Sequence, residues 1–390
     1  MVCAASRSSA TSASAAASDV IVINAIASAE FRPSDTLHFY VDGLYGFKKN
    51  ELIREDMAWI VRNGAIIPTN LTFDKSDCSA GCTVTGGTFA NVQFFDEFRP
   101  YTETTHLWSV NPGGEWEIND KLKLNFQGNY ARSTFHRESP TVGMTTPLGV
   151  GNTVTYSNTG GIPTITSGLD LNDPKNFGWY AGSRVNLQDE RRLNINKGLR
   201  GDLTWGDTAL NLKVGGAYDD TSRQIRGFDN SQYWQNAVCG NNPNVSVPSP
   251  NSQPPCAGLN APGAAPAGYP TYPGYGTGYT SGLSGPVSYG GSLIPNSAAP
   301  SYLSPGPAGF VTVNWPAFQK ATNYQFYHDN APENGGANTG ASAGFIREIV
   351  KSAFATLNGS QELGGNTLRF NVGLRYVNTI QTISGRVSLP

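Results

Sequence analysis

Between Leu122 and Tyr130 apolar and polar residues alternate strictly. Leu122, Leu124, Phe126 and Tyr130 fall in one register, with Gly128 between them, and Lys123, Asn125, Gln127 and Asn129 fall in the other. A period of two predicts a β-strand with one apolar and one polar face. The same nine-residue phrase, opened by leucine and closed by tyrosine, recurs at Leu37–Tyr45, Leu210–Tyr218 and Leu368–Tyr376. Eight residues of strand rise roughly 26 Å, which a tilt of about 40° projects to about 20 Å along a membrane normal. That approaches the roughly 25 Å apolar band of an outer-membrane barrel, whose borders carry aromatic rings. A water-soluble sandwich explains the Leu, Phe and Val positions equally well, but not a tyrosine fixed at one end.

Further strands are predicted over Val20–Ala29, Thr104–Ile118 and Arg191–Trp205. In the last of these Leu193, Ile195, Leu199, Leu203 and Trp205 share a face, interrupted by Lys197. Phe345–Leu357 fits helical spacing as well as a strand template and is taken as a strand because a turn and the Leu368 strand follow it. Short turns at 32–35, 119–120, 206–207 and 358–366 alternate with long connections at 48–103, 134–190 and 222–343. Barrels with short periplasmic turns and long outer loops show this alternation. The expected fold class is therefore all-β: an antiparallel transmembrane β-barrel, partial, with about eight strands visible over residues 20–390.

Composition narrows the picture. Charged residues make up 14% of the 390, against about 25% in soluble proteins. No apolar run approaches the roughly 18 residues of a transmembrane helix. A net charge of −2, with both signs scattered, carries no nucleic-acid footprint. Residues 1–19 are a low-complexity Ala/Ser leader, expected to be disordered, without the charged and apolar regions of a secretory signal. Residues 240–308 are rich in Pro, Gly, Tyr and Ser, a composition expected to form a mobile surface loop. Among the five cysteines, Cys78 and Cys82 flank a short loop, Cys239 and Cys256 bracket another, and Cys3 is left over. Two loop disulfides, Cys78–Cys82 and Cys239–Cys256, are preferred to a metal site, because no His or further Cys stands at ligand spacing. They imply an oxidising compartment.

Chemistry is sparse. His38, His106, His136 and His328 belong to no metal or nucleophile motif, and no phosphate-binding or dinucleotide-binding loop is present. The reading is a non-enzyme with no catalytic residue, metal or cofactor. The run Asp189-Glu190-Arg191-Arg192 is taken as a charged strand end at a membrane rim. If the apolar positions meet lipid, then His38, Asp42, Lys123, Asn125, Gln127, Arg200, Asp202, Asn211, Lys213, Arg369 and Arg375 face the lumen. Trp179, Tyr180, Tyr233 and Trp234 are candidates for stacking on a ligand in the outer loops, with ordinary loop packing as the plainer alternative.

Three phrases resemble the barrel of TonB-dependent outer-membrane receptors of the Caulobacter- and Xanthomonas-type branch: Phe31–Tyr45, the hairpin from Trp116, and Asn366–Thr379. The resemblance implies a barrel around an N-terminal plug, in the Gram-negative outer membrane. It implies import of a scarce nutrient such as a siderophore, cobalamin or oligosaccharide, driven by TonB–ExbB–ExbD. Plug, TonB box and terminal aromatic strand are not recognisable, so the chain is expected to be an internal piece of the barrel. A passive outer-membrane pore and a surface-binding protein acting through its long loops remain the alternatives.

Overall fold

The computed structural model describes residues 11–60, 66–147, 149–160, 162–180, 182–239, 272–273, 286–287, 293–334 and 343–385. Eight long strands hydrogen-bond in chain order into one antiparallel meander. They are β1 (Thr11–Ser34), β2 (Leu37–Ile60), β3 (Gln93–Asn119), β4 (Leu122–Glu138), β5 (Gln188–Gly206), β6 (Leu210–Asp229), β7 (Gly344–Leu363) and β8 (Asn366–Gly385). The ambiguous 345–357 segment is thus strand. Within the described residues β1 and β8 are the two edges of this sheet. No described helix is long and apolar enough to cross a membrane.

The four hairpin turns lie at one end and are built by local chemistry. Gly364 and Gly365 both take positive φ, +58° and +86°, as a two-residue hairpin turn of the primed type requires. Asp207 Oδ1 accepts from the backbone N–H groups of Ala209 and Leu210 at 2.9 and 3.1 Å. Gly206 sits at φ +122°, where an added Cβ would come within 2.2 Å of the Leu210 carbonyl oxygen.

Cross-strand register sorts the alternation onto two faces. Tyr45 stands opposite Trp108, Lys197 opposite Tyr130, Leu199 opposite Tyr218, and Ala353 opposite Tyr376. These aromatics mark one border of the apolar face, where the Trp108 and Tyr130 rings stack at 4.9 Å. Trp116 and Trp205 mark the other border: Trp116 opposes Leu37 and Leu124, while Trp205 opposes Leu122 and Leu212. Between the borders the side chains are open to the surroundings. Leu199 is 63% exposed, Val372 66% and Leu374 80%.

The buried core is elsewhere, among the long connections. Phe94, Phe98, Val142, Met144, Phe177, Trp179, Trp234, Phe318 and Tyr324 pack together there with Met57 and Trp59 from the far end of β2. The helices α1 (Ser231–Cys239), α2 (Trp315–Ala321) and α3 (Tyr324–Asp329) contribute to this cap. Beside it lies a four-stranded sheet of Ile67–Phe73, Val84–Ala90, Thr153–Ser157 and Thr164–Ser167. Cys78 and Cys82 form a disulfide. Cys239 is also disulfide-bonded; Cys256 lies outside the described residues, as does most of 240–308.

Two expectations are corrected. The strands run well past the apolar band, so the connections expected at 48–103, 134–190 and 222–343 shrink to 61–92, 139–187 and 230–343. Lys48, Lys49, Asn50 and Glu51 end the apolar pattern but continue the ladder, paired with Thr105, Thr104, Glu103 and Thr102. Likewise β1 begins at Thr11, inside the stretch read as a disordered leader. Its Ala and Ser residues keep pairing with β2 because a ladder needs only backbone groups.

Candidate functional site

The face opposite the apolar one is mostly polar, with Leu44 and Phe354 among its apolar members, and the same register builds it. Asn125 stands across from Asp202, Arg200 from Gln127, Lys213 from Thr204, and Asn211 from Asn358. The side chains then pair sideways. Asn125 Nδ2 donates to Asp202 Oδ2 at 2.9 Å, and Lys213 Nζ lies 2.8 Å from Asp202 Oδ1. Asn358 donates to Asn211 at 2.8 Å, and Asn371 donates to Asn358. This face is hollowed into a trough of about 650 Å³ whose walls include Glu115, Asn125, Gln127, Arg200, Asp202, Asp219 and Arg375.

All eleven polar residues singled out from the alternation share this face by register. Asn125, Gln127, Arg200, Asp202 and Arg375 line the trough. Lys213 pairs with Asp202, one of its walls. Lys123, opposite Thr204, pairs with Glu117 near the hairpin turn. Arg369 lies towards the turn end of β8. His38 and Asp42 stand on β2, where His38 Nε2 is 3.3 Å from a Glu30 carboxylate oxygen and Asp42 accepts from Ser28 Oγ at 2.7 Å. Tyr40, Glu115 and Asp219 were missed. Their strands alternate less cleanly, and only cross-strand pairing, of Tyr40 with β3, Glu115 with β4 and Asp219 with β5, shows which way they face.

At the long-connection end the polar face opens into a second hollow of about 390 Å³, lined by Arg99, Tyr101, Arg137, Ser139, Thr141, Arg184, Asn186 and Gln188. Three guanidinium groups converge here on two carboxylates. Arg99 Nε and Arg184 Nη2 lie 2.5 and 3.0 Å from Glu97 oxygens, and Arg137 Nε donates to Glu103 at 2.8 Å. Burial would push the Glu97 carboxyl up, but Arg99 and Arg184 hold it below the usual carboxylate range. The cluster therefore keeps one positive charge in excess, and the buried Nε of Arg184 has no hydrogen-bond partner. Planar N–H donors in this arrangement suit carboxylate or phosphate oxygens.

The aromatic candidates fall in the cap. Trp179 is 3% exposed and donates its indole N–H to the Ile294 carbonyl at 2.8 Å; Trp234 is fully buried and donates to Thr322 at 3.3 Å. Both are cap core, closed to a ligand. Tyr180 is half-buried, and the side chain of Tyr233 lies outside the described residues.

On the opposite side of the wall three residues from distant parts of the chain meet: His136, Asp189 and His328. Asp189 Oδ2 lies 2.7 Å from His136 Nε2, 3.0 Å from His328 Nε2 and 3.8 Å from Arg191. Burial would raise the Asp189 carboxyl, but the two imidazoles hold it down at about 2. Burial would lower His328, yet Asp189, Glu138 and Asp329 lift it to about 9. No local motif announces this cluster, because its members are 53 and 139 residues apart.

No protein-family model matches this chain, and neither a curated protein nor a solved structure does.

Proposed function

We propose that this chain forms part of the wall of an outer-membrane β-barrel of the TonB-dependent receptor type, importing a small polar nutrient with anionic groups. The observation that carries the reading is the division of eight strands into one apolar, exposed face and one polar, hydrogen-bonded face in continuous register. Water-soluble monomers rarely expose a contiguous apolar face of this extent, which marks a surface covered by protein or lipid. In a bilayer it is the lipid-facing surface, bordered by aromatic rows, and the polar face is the lumen. Inside the bilayer the free edges of β1 and β8 need pairing, by closure on each other or by further strands, because unpaired backbone there costs several kcal/mol per group. The arginine hollow at the loop-side mouth favours capture of carboxylate or phosphate groups before entry.

The test uses native cells and an antibody against the cap. A band in the outer-membrane fraction whose migration shifts on boiling supports the barrel. Its absence from that fraction sinks the reading. Uptake that stops when the proton-motive force is collapsed supports energised import, whereas uptake that continues unchanged returns the passive pore.

A further inference from the structure

We propose that His136, Asp189 and His328 form a binding site for one divalent transition-metal ion of the zinc class, which fastens helix α3 of the longest connection to strands β4 and β5. This goes beyond the import reading and does not depend on it.

The donors come from three elements. His136 and Glu138 alternate on β4, Asp189 on β5 stands directly opposite Glu138, and His328 projects from α3 onto the same spot. Their ligand atoms all lie within 4.8 Å of one another, two of the separations being 2.7 and 3.0 Å. Bonds of about 2.0–2.2 Å in a tetrahedral arrangement place donors about 3.3–3.6 Å apart, so shifts of a few tenths of an ångström at Asp189 bring these atoms to that geometry. The second observation concerns Asp189 itself. Its side chain is 3% exposed, and its other oxygen, Oδ1, is buried without any hydrogen-bond partner. A buried carboxylate oxygen without a donor is costly, and a cation held by both Asp189 oxygens satisfies it.

Two imidazoles and one carboxylate select the metal class: nitrogen donors suit zinc, copper, nickel or iron, while calcium and magnesium prefer oxygen alone. The surroundings orient the donors. His328 Nδ1 lies 3.1 Å from Asp329 Oδ1, which aims Nε2 at Asp189. Glu138 accepts from the buried Tyr324 hydroxyl at 2.6 Å, and its second oxygen lies 3.9 Å from His328 Nε2, beside the fourth coordination position. Outer carboxylates on ligating histidines are a regular feature of such sites.

The test is titration of the folded, untagged full chain in detergent with Co²⁺ alone, read by its visible d–d absorption, followed by displacement with Zn²⁺. The expected result is one Co²⁺ per chain, lost in His136→Gln and in Asp189→Asn, and bound about tenfold or more weakly in Asp329→Asn. Saturating Zn²⁺ is expected to raise the unfolding temperature of the parent by about 5 °C or more and to leave that of His136→Gln unchanged. Asp189→Asn removes a buried group and can fail to fold. His136→Gln changes a side chain that is 41% exposed and keeps the fold. No d–d band in the parent, or the same band in His136→Gln, overturns the site.

Discussion

Val214 sits at the middle of the apolar face, four residues from both Leu210 and Tyr218 on β6. Its cross-strand neighbours are Leu203 on β5 and Ala355 on β7, and it is 39% exposed. On the surface of a water-soluble sheet, Val214→Arg would change stability by no more than about 0.5 kcal/mol, since the long side chain reaches solvent freely. At the midplane of a bilayer the same substitution costs about 2–4 kcal/mol, equivalent to a roughly 30- to 900-fold shift of the folding equilibrium. Ser352→Arg is the matched control: it lies on the polar face among the trough walls, together with Asp219, and is expected to cost less than about 1 kcal/mol. The assay is reversible guanidinium unfolding in lipid vesicles, followed by tryptophan emission and extrapolated linearly. Equal midpoints for Val214→Arg and the parent, or a greater loss for Ser352→Arg, would refute the assignment of the two faces.

Other outcomes follow from the same geometry. Arg184→Ala removes one of three guanidinium groups from the second hollow. It is expected to weaken citrate binding by about 1.5–3 kcal/mol, the worth of a charge-assisted hydrogen bond, and calorimetry at low salt reads the change. Asp96 is buried at the cap end of β3 with neither carboxylate oxygen hydrogen-bonded. Burial first, and then Glu55, Glu97 and Asp56, raise its pKa well above the ordinary 3.8. The folded state therefore holds this proton more tightly than the unfolded chain, and stability present below the unfolded pKa is lost as pH rises towards the folded one. Asp96→Asn is expected to abolish that decline in denaturation midpoints compared between pH 4 and pH 8. Trp234→Ala empties a fully buried site in the cap at a cost of about 3–5 kcal/mol; limited proteolysis should then cut the cap while the wall strands stay protected.

The wall was legible because its physics is local. Each of the phrases such as Leu122–Tyr130 carries its own alternation, and each turn its own Gly, Asn or Asp. The ends of the strands were hidden, because beyond the apolar band nothing forces apolar residues into one register. Lys48–Glu51 pair like any other strand residues but leave no pattern. The cap was hidden for a different reason. Trp179 packs against a segment more than a hundred residues away, donating to Ile294, and such long-range contacts have no period. The sequence thus leaves Trp179 open between a ligand contact and plain loop packing, and only the fold shows that it is buried. The His136–Asp189–His328 cluster falls under the same limit: β4 and β5 supply two members by register, and α3 supplies the third by folding back over them.

The central claim is that two faces of one sheet meet two different solvents, and alternate-position labelling along β6 tests it most directly. Single cysteines replace each residue from Leu210 to Tyr218 in a Cys3→Ser background, and a membrane-impermeant maleimide is applied to outer-membrane vesicles. Labelling is predicted at 211, 213, 215 and 217, with protection at 212, 214 and 216. Equal labelling at all positions, or labelling of 212 and 214 with protection of 211 and 213, would contradict the account.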